Sequence, residues 1–380
     1  MLSFWERNTF FSKIDVVIVG SGIVGLTAAI NLKKYNPKLN VVILERGFLP
    51  WGGSTKNAGF SCFGSPSELL DDLKSHTEEE VQRLIERRWK GLLELRSLLG
   101  DDNIGYEPLG NYEVFSNTDT ELYNECADKL PYLNNLVKDI IGNANVYIPA
   151  DGDIEKNGLG NTAHLILNTA EGQLDTGLMM KNLLSLAQSL GVVSFNGFEV
   201  DKIEESANGY TIVGDGGRVS FNATKVIIAN NAFAAKLFPG IDIKPARAQV
   251  LITKPVEGLK LKGAFHADKG YYYFRNVGNR ILFGGGRNLD FKAEETFADG
   301  LTDIVQTRLD EMLVNTIAPY TQVEVDQRWS GFMAMGTKKS YITERKALGL
   351  ILAVRCGGMG VAIGSLTGKQ AASLIIEELS

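Results

Sequence analysis

Only three cysteines, Cys62, Cys126 and Cys356, are spread over the 380 residues. An odd number at such distances forms neither a disulfide framework nor a zinc-ligand set, and a reducing, cytoplasmic home is the expectation. Histidine is equally scarce. His76, His164 and His266 stand singly, each a pattern of surface or satisfied core residues, and no metal site or nucleophile pair can be read from them. The net charge of −6 comes without any long basic run, which removes the electrostatic footprint of a nucleic-acid partner. Long apolar runs are missing too. Ala347 to Val354, the strongest near the carboxyl end, is too short to span a bilayer. Residues 1–13 are aromatic and mixed in charge, without the apolar centre of a signal peptide. Peripheral membrane attachment stays open. There is no internal repeat and no low-complexity segment.

Glycine is plentiful: 41 against 10 prolines, many clustered at the ends of apolar runs. Such clusters suit loops that approach a ligand closely. The length exceeds one ordinary core and suggests two domains. The most informative stretch is the first. Ile14 to Val19 reads as a buried parallel strand, residues 23–34 as a helix, and Val41 to Leu44 as a second buried strand. Between the first strand and the helix lies Gly20-Ser21-Gly22-Ile23-Val24-Gly25. This is GxGxxG in the context that gives it meaning: the first glycine turns the chain, the second admits a pyrophosphate, and the third lets helix and strand pack. Glu45 stands twenty positions after Gly25, where a carboxylate accepts hydrogen bonds from a ribose diol. The helix N-terminus supplies N–H groups and partial positive charge to phosphates. A loop of small residues follows, Gly52 to Phe60, against which a flat ring system can lie.

Beyond it, residues 65–100 and 121–141 read as helices and 111–116 as a strand, with a polar loop at 151–160. A helix at 176–190, strands at 192–205, 210–213, 218–221 and 225–229, and a strand-rich region at 246–287 come next. The chain closes with a helix at 298–317, a strand at 350–354, a glycine-rich loop at 355–364 and a helix at 365–379.

On these motifs the chain resembles the D-amino-acid-oxidase-like (DAO) superfamily of flavoenzymes, which includes glycine and sarcosine oxidases, D-amino-acid dehydrogenases and γ-glutamylputrescine oxidase. The resemblance rests on the GxGxxG with Glu45-Arg46, on Gly53-Ser54-Thr55-Lys56-Asn57-Ala58-Gly59, on Glu171-Gly172-Gln173-Leu174-Asp175, and on Gly357 to Gly364. It implies an α/β fold: a Rossmann-like FAD-binding domain of the glutathione-reductase type, from residues 1–72, 165–240 and 340–380, and a sheet-rich α+β substrate domain from 73–164 and 241–339. It implies non-covalent FAD, held by Gly20, Gly22, Ile23, Gly25, Glu45, Arg46, Ser54, Thr55, Lys56, Asn57, Ala58, Gly59, Val200 and Ala229. Gly357, Gly358, Met359, Gly360, Val361 and Ala362 would face the flavin pyrimidine edge, where N–H donors and a helix dipole stabilise the reduced ring. Asn230 and Asn231 depart from the family's usual Ala-x-Gly.

The activity implied is oxidation of a C–N bond in an amine or amino acid: a hydride passes to flavin N5, the imine hydrolyses, and oxygen or another acceptor takes the electrons. The rivals are oxidation of a hydroxy acid in the same fold, and flavin binding without turnover. Substrate-pocket candidates are Tyr272, Phe274, Arg275, Arg287 and Met333. The aromatics among them also fit plain sheet packing, and the arginines surface ion pairs. Met333 stands where amino-acid oxidases of this family carry a carboxylate-pairing arginine. Its place there favours an amine without an adjacent carboxylate, unless Arg275, Arg287 or Lys338 reaches the site.

Overall fold

The computed structural model describes residues 3–379. Met1, Leu2 and Ser380, at the ends of the expected cofactor segments, lie outside the described residues. Two eight-stranded sheets make the fold. In the first, strand Ile14–Val19 is central and runs parallel to Val41–Glu45 on one side and Val219–Ile228 on the other. Val193–Asn196 and Leu350–Val354 extend it in parallel, and Ile342–Ala347 closes one edge antiparallel. Every residue of Val41–Glu45 and of Leu350–Val354 is buried, because both faces are covered. Helices Ile23–Tyr35, Thr176–Ser189 and Gly360–Glu377 pack on Val16, Ile18, Ile43 and Ile351. On the other face an antiparallel meander covers Val17, Leu44 and Ile228. The first and last helices nearly touch: a Cβ on Gly368 would lie 2.3 Å from the Val24 carbonyl.

The second sheet takes its strands from residues 111–168 and 244–335, in the order Val325–Met335, Lys244–Thr253, Arg280–Gly285, Tyr272–Val277, Ala264–Ala267, Asn111–Phe115, His164–Asn168, Tyr147–Pro149. All its pairings are antiparallel except Ala264–Ala267 with Asn111–Phe115. Leu251, Phe274 and Phe283 on its outer face pack beneath helix Asp303–Met312. Among the described residues, no helix is long and apolar enough to cross a membrane.

Several elements differ from the sequence expectation. The strand expected at 192–205 is two, Val193–Asn196 and Val200–Ser206, separated at Gly197, whose φ is +72°. The strands at 218–221 and 225–229 are one, Val219–Ile228, pairing the meander with its first half and the parallel sheet with its second. Residues 65–100 form two helices, each opened by a capping box, Ser65 with Glu68 and Thr77 with Glu80. The helix expected from 298 starts at Asp303, after Gly300 at φ +139°, and ends in a π turn over Leu313–Ile317. The closing helix begins at Gly360, so half of the expected glycine loop is helix.

Candidate functional site

At the carboxyl ends of the parallel strands a cleft opens, part of it continuous with solvent. Its lining runs from Glu45, Arg46 and Val200 at one end, past Gly20 to Ile23, to Met333, Gly357, Gly358 and Gly360 at the other. The three segments singled out in the sequence thus share one wall, because strands Ile14–Val19, Val41–Glu45, Val219–Ile228 and Leu350–Val354 are neighbours in the sheet.

The glycine loop meets its steric requirements. Gly20 has φ +107°, and a Cβ there would stand 2.9 Å from the Ala229 carbonyl. A Cβ on Gly25 would fall 2.0 Å from the Gly20 carbonyl, so only glycine lets the helix start this close to the strand. Glu45 is buried. Its Oε2 accepts from Ser21 Oγ at 2.7 Å and the Ser21 N–H at 3.1 Å, and its Oε1 from the Gly47 N–H at 2.9 Å. These bonds aim the carboxylate at the loop. Ser54 Oγ accepts from the Ile23 N–H at 3.0 Å and ties the following loop to the helix start. Arg46 stacks on Phe233, its guanidinium carbon 3.7 Å from the ring centre.

The carboxyl-terminal loop is anchored from both sheets. The Gly357 N–H donates to the Ala334 carbonyl of the second sheet at 3.2 Å, and the Cys356 N–H to Asn231 Oδ1 at 3.2 Å. Asn231 adopts φ +49°, a conformation that asparagine tolerates better than most residues. It therefore keeps the turn and adds a side-chain tie.

Not every expected cofactor residue lines the cleft. Gly25 acts through packing. Thr55 donates to the Pro50 carbonyl at 2.6 Å. Lys56 points away, its Nζ 4.1 Å from the Trp51 ring centre and 3.5 Å from Asp299. Ala58 and Gly59 support Arg275, and a Cβ on Gly59 would lie 2.3 Å from the Leu174 carbonyl. Met359 turns to Cys62, sulfur to sulfur 3.9 Å, and Ala362 is buried against Gly91. Conversely Ser21, Asn230, Phe233, Lys236 and Cys356 line the cleft without having been singled out for it. Asn230 and Asn231 carried the one available signal, their departure from the family pattern.

The substrate candidates divide by strand register. Across the second sheet, Trp329, Val250, Gly284, Tyr273, His266 and Glu113 stand opposite one another in a row. Their neighbours Leu251, Phe283, Phe274, Phe265 and Tyr112 form the row on the other face. The first face turns toward the glycine segments: Trp329 Nε1 donates to the Lys56 carbonyl at 3.0 Å, and Met333, of the same parity, lines the cleft. The second is a stacked aromatic core, with ring centres of Phe265 and Phe274 5.0 Å apart. Tyr272 and Phe274 as pocket residues are therefore a correction: both lie in that core, because side chains alternate with a period of two. Tyr273 faces inward instead. Its ring lies over Gly284, where a Cβ would be 2.7 Å away. Burial pushes its hydroxyl up to about 12, and that hydroxyl has no protein hydrogen-bond partner among the described residues. Arg275 also faces inward but is committed, Nε to the Ala58 carbonyl at 2.5 Å and one terminal nitrogen to the Leu174 carbonyl at 3.0 Å. Burial lowers its pKa to about 10. Arg287 stacks on Phe291 outside the cleft lining.

Two carboxyls are buried nearby, Glu113 at the end of the inner-face row and Glu171. Glu171 accepts from the N–H groups of Phe63 (2.6 Å) and Gly64 (3.0 Å) and from Asn111 Nδ2 (2.8 Å). Glu113 accepts from the Ser67 N–H and Ser65 Oγ, both at 3.1 Å, and from Ser67 Oγ. Desolvation raises Glu171 to about 8 and Glu113 to about 7, against these hydrogen bonds. Among the described residues, no group of three or more His, Cys, Asp and Glu could hold a metal.

Sequence and fold comparisons agree with this geometry. The chain is 24% identical over 395 residues to an oxidoreductase named OrdL from Haemophilus influenzae, covering 97% of this chain and 84% of that one. It is 23% identical over 379 residues to the bifunctional protein ThiO/ThiG of Synechocystis sp., covering 96% of this chain; it spans about half the length of that relative (52%). Glycine oxidase from Bacillus cereus shares the fold with a TM-score of 0.77 at 19% identity, over 96% of this chain and 95% of that one. Iminodiacetate oxidase from Chelativorans sp. does so with 0.75 at 19% identity, over 95% of each. The family model described as FAD dependent oxidoreductase (DAO) matches residues 15–374, and the chain belongs to that family: it is an FAD-dependent oxidoreductase of the DAO family.

Proposed function

We propose that the enzyme oxidises the C–N bond of a small amine that carries no carboxylate beside the reacting carbon, and that its FAD lies non-covalently in the cleft. Bound there, FAD supplies the two-electron acceptor. Glu45 would accept hydrogen bonds from a ribose diol, Gly20 to Ile23 would bring backbone close to the pyrophosphate, and the N–H groups of Gly358, Gly360 and Val361, not taken up as those of Gly357 and Met359 are, would face the ring. Residues 1–72, 165–240 and 340–380 form the cofactor domain in this reading, and 73–164 and 241–339 the substrate domain. A reducing, cytoplasmic setting suits three free buried thiols. Cys356 is the one cysteine lining the cleft among the described residues, and burial holds its thiol up at about 12, which favours a cofactor without a thioether.

The observation that carries the substrate class is Met333. It lines the cleft from the inner face of the second sheet, where a thioether holds no carboxylate and an unpaired buried charge is costly. Arg275, of the same face, is already tied to two carbonyls. The substrate loses a hydride from carbon and a proton from nitrogen, and water hydrolyses the imine. Anaerobic reduction of the flavin by polyamines, secondary amines, glycine, sarcosine and D-amino acids decides. Fast reduction by amines alone supports the proposal. Fast reduction by amino acids and not by amines overturns it.

A further inference from the structure

Eight buried side-chain polar atoms among the described residues have no hydrogen-bond partner, and of the residues that own them only Asn230 lines the cleft. The buried atom is Oδ1, an acceptor. Its neighbour Asn231 is in the opposite situation, with its Oδ1 taken by the Cys356 N–H. Two adjacent asparagines thus do different work. Asn231 holds the carboxyl-terminal loop, while Asn230 presents an unused acceptor in the wall beside the glycine loop. The closeness to that loop is set by backbone: a Cβ on Gly20 would stand 3.1 Å from Asn230 Cα. The Asn230 carbonyl is separately engaged by the Phe233 N–H at 3.0 Å, so the residue is held in place and only its side chain is free.

A buried acceptor without a donor is rare in folded proteins and calls for a partner. The protein does not supply one among the described residues, and a phosphate cannot, because its oxygens only accept. A hydroxyl can. We propose that Asn230 Oδ1 accepts a hydrogen bond from a sugar-type hydroxyl of the cofactor, on either the adenosine ribose or the ribityl chain. The inference rests on the placement of FAD in this cleft, but not on the choice of substrate.

The test is binding to apoprotein, read by the change in flavin fluorescence on titration. Six ligands are compared: FAD, FAD with a 2′-deoxyadenosine half, FAD with a 3′-deoxyadenosine half, and the three analogues of FAD that each lack one ribityl hydroxyl. Asn230→Ala is expected to raise the FAD Kd about tenfold, the effect of one lost hydrogen bond in a buried site. One deoxy analogue is expected to bind wild type about tenfold more weakly than FAD and to bind Asn230→Ala as well as FAD does. That coupling identifies the hydroxyl and its half of the cofactor. If Asn230→Ala folds poorly by circular dichroism, Asn230→Leu, which is similar in shape and carries no acceptor, is used with the same ligands, and the same loss of coupling is read. An unchanged Kd in both variants overturns the inference. So does weaker binding that is uncoupled from every hydroxyl, which would mean that the amide donates to phosphate. A protein that binds amines and amino acids alike leaves this result untouched, so the two proposals fail separately.

Discussion

The wall of the cleft built by the first sheet and the wall built by the second differ in how their residues are brought together. In the first, Gly20 to Gly25 and Glu45 are set by local chain geometry: a strand, a turn, a helix and a strand in immediate succession. In the second, Met333, Gly331 and Tyr273 come from strands far apart in sequence, and their common direction is a matter of register. The first wall is specified by spacing and close backbone packing. The second is specified by pairing, and a shift of one residue would exchange its two faces entirely.

The largest test of this contrast is Phe274→Ala. Phe274 is fully buried in the aromatic core of the outer face, and its truncation should cost about 3–5 kcal/mol. Thermal denaturation should show the loss, with FAD affinity of the folded protein unchanged. A matching loss of FAD affinity would mean that the outer face is not independent of the cleft.

A smaller effect, of a few kcal/mol at most, concerns pH. Burial raises Glu171 to about 8 and Glu113 to about 7, from an ordinary 4.5. The folded state therefore holds protons that the unfolded state releases above about 4.5. Stability falls as pH rises from about 5 to about 8 and levels off above that. Glu171→Gln, which is neutral at every pH, should flatten much of that slope in Tm measured between pH 5 and 9. An equally steep slope in the variant would assign the protons elsewhere. Asn111 Oδ1 is buried without a partner beside Glu171, and with its amide turned over it would accept from the protonated carboxyl.

Glu45→Ala comes next, at on the order of 1.5–3 kcal/mol in FAD binding. Dialysis followed by the flavin spectrum reads it, and full retention of flavin would remove Glu45 from the site. The smallest expected change is Tyr273→Phe. Its hydroxyl has no protein partner among the described residues, so Tm should move by no more than about 1–2 °C, within the range of a change of ~0.5 kcal/mol. If the inner face touches substrate, the apparent Kd of the reducing amine rises by about threefold; an unchanged value would place the substrate away from that ring.

What could be read in the chain follows the same division. The βαβ unit was legible because glycine spacing, strand β-branching and helix periodicity all act within about thirty residues. Glu45 was legible for the same reason. The substrate candidates were not: Tyr271 to Phe274 offers four aromatics in succession, and composition cannot say which of them point inward. Lys56 lies in a legible loop, yet it turns away from the cleft because the four-residue helix Gly53–Lys56 rotates successive side chains by about 100°.

By itself the sequence determined the family and the first βαβ unit with its glycine turn, since steric demands on a short turn are written residue by residue. Tertiary structure alone decided that Phe274 is core and Tyr273 is not, that Arg275 is already satisfied by the Ala58 and Leu174 carbonyls, and that Asn230 keeps a free acceptor while Asn231 does not. Those outcomes depend on which strand pairs with which and on what distant backbone lies within 3 Å. Side-chain alternation supplies two possible faces, and only the packing of the two sheets selects between them.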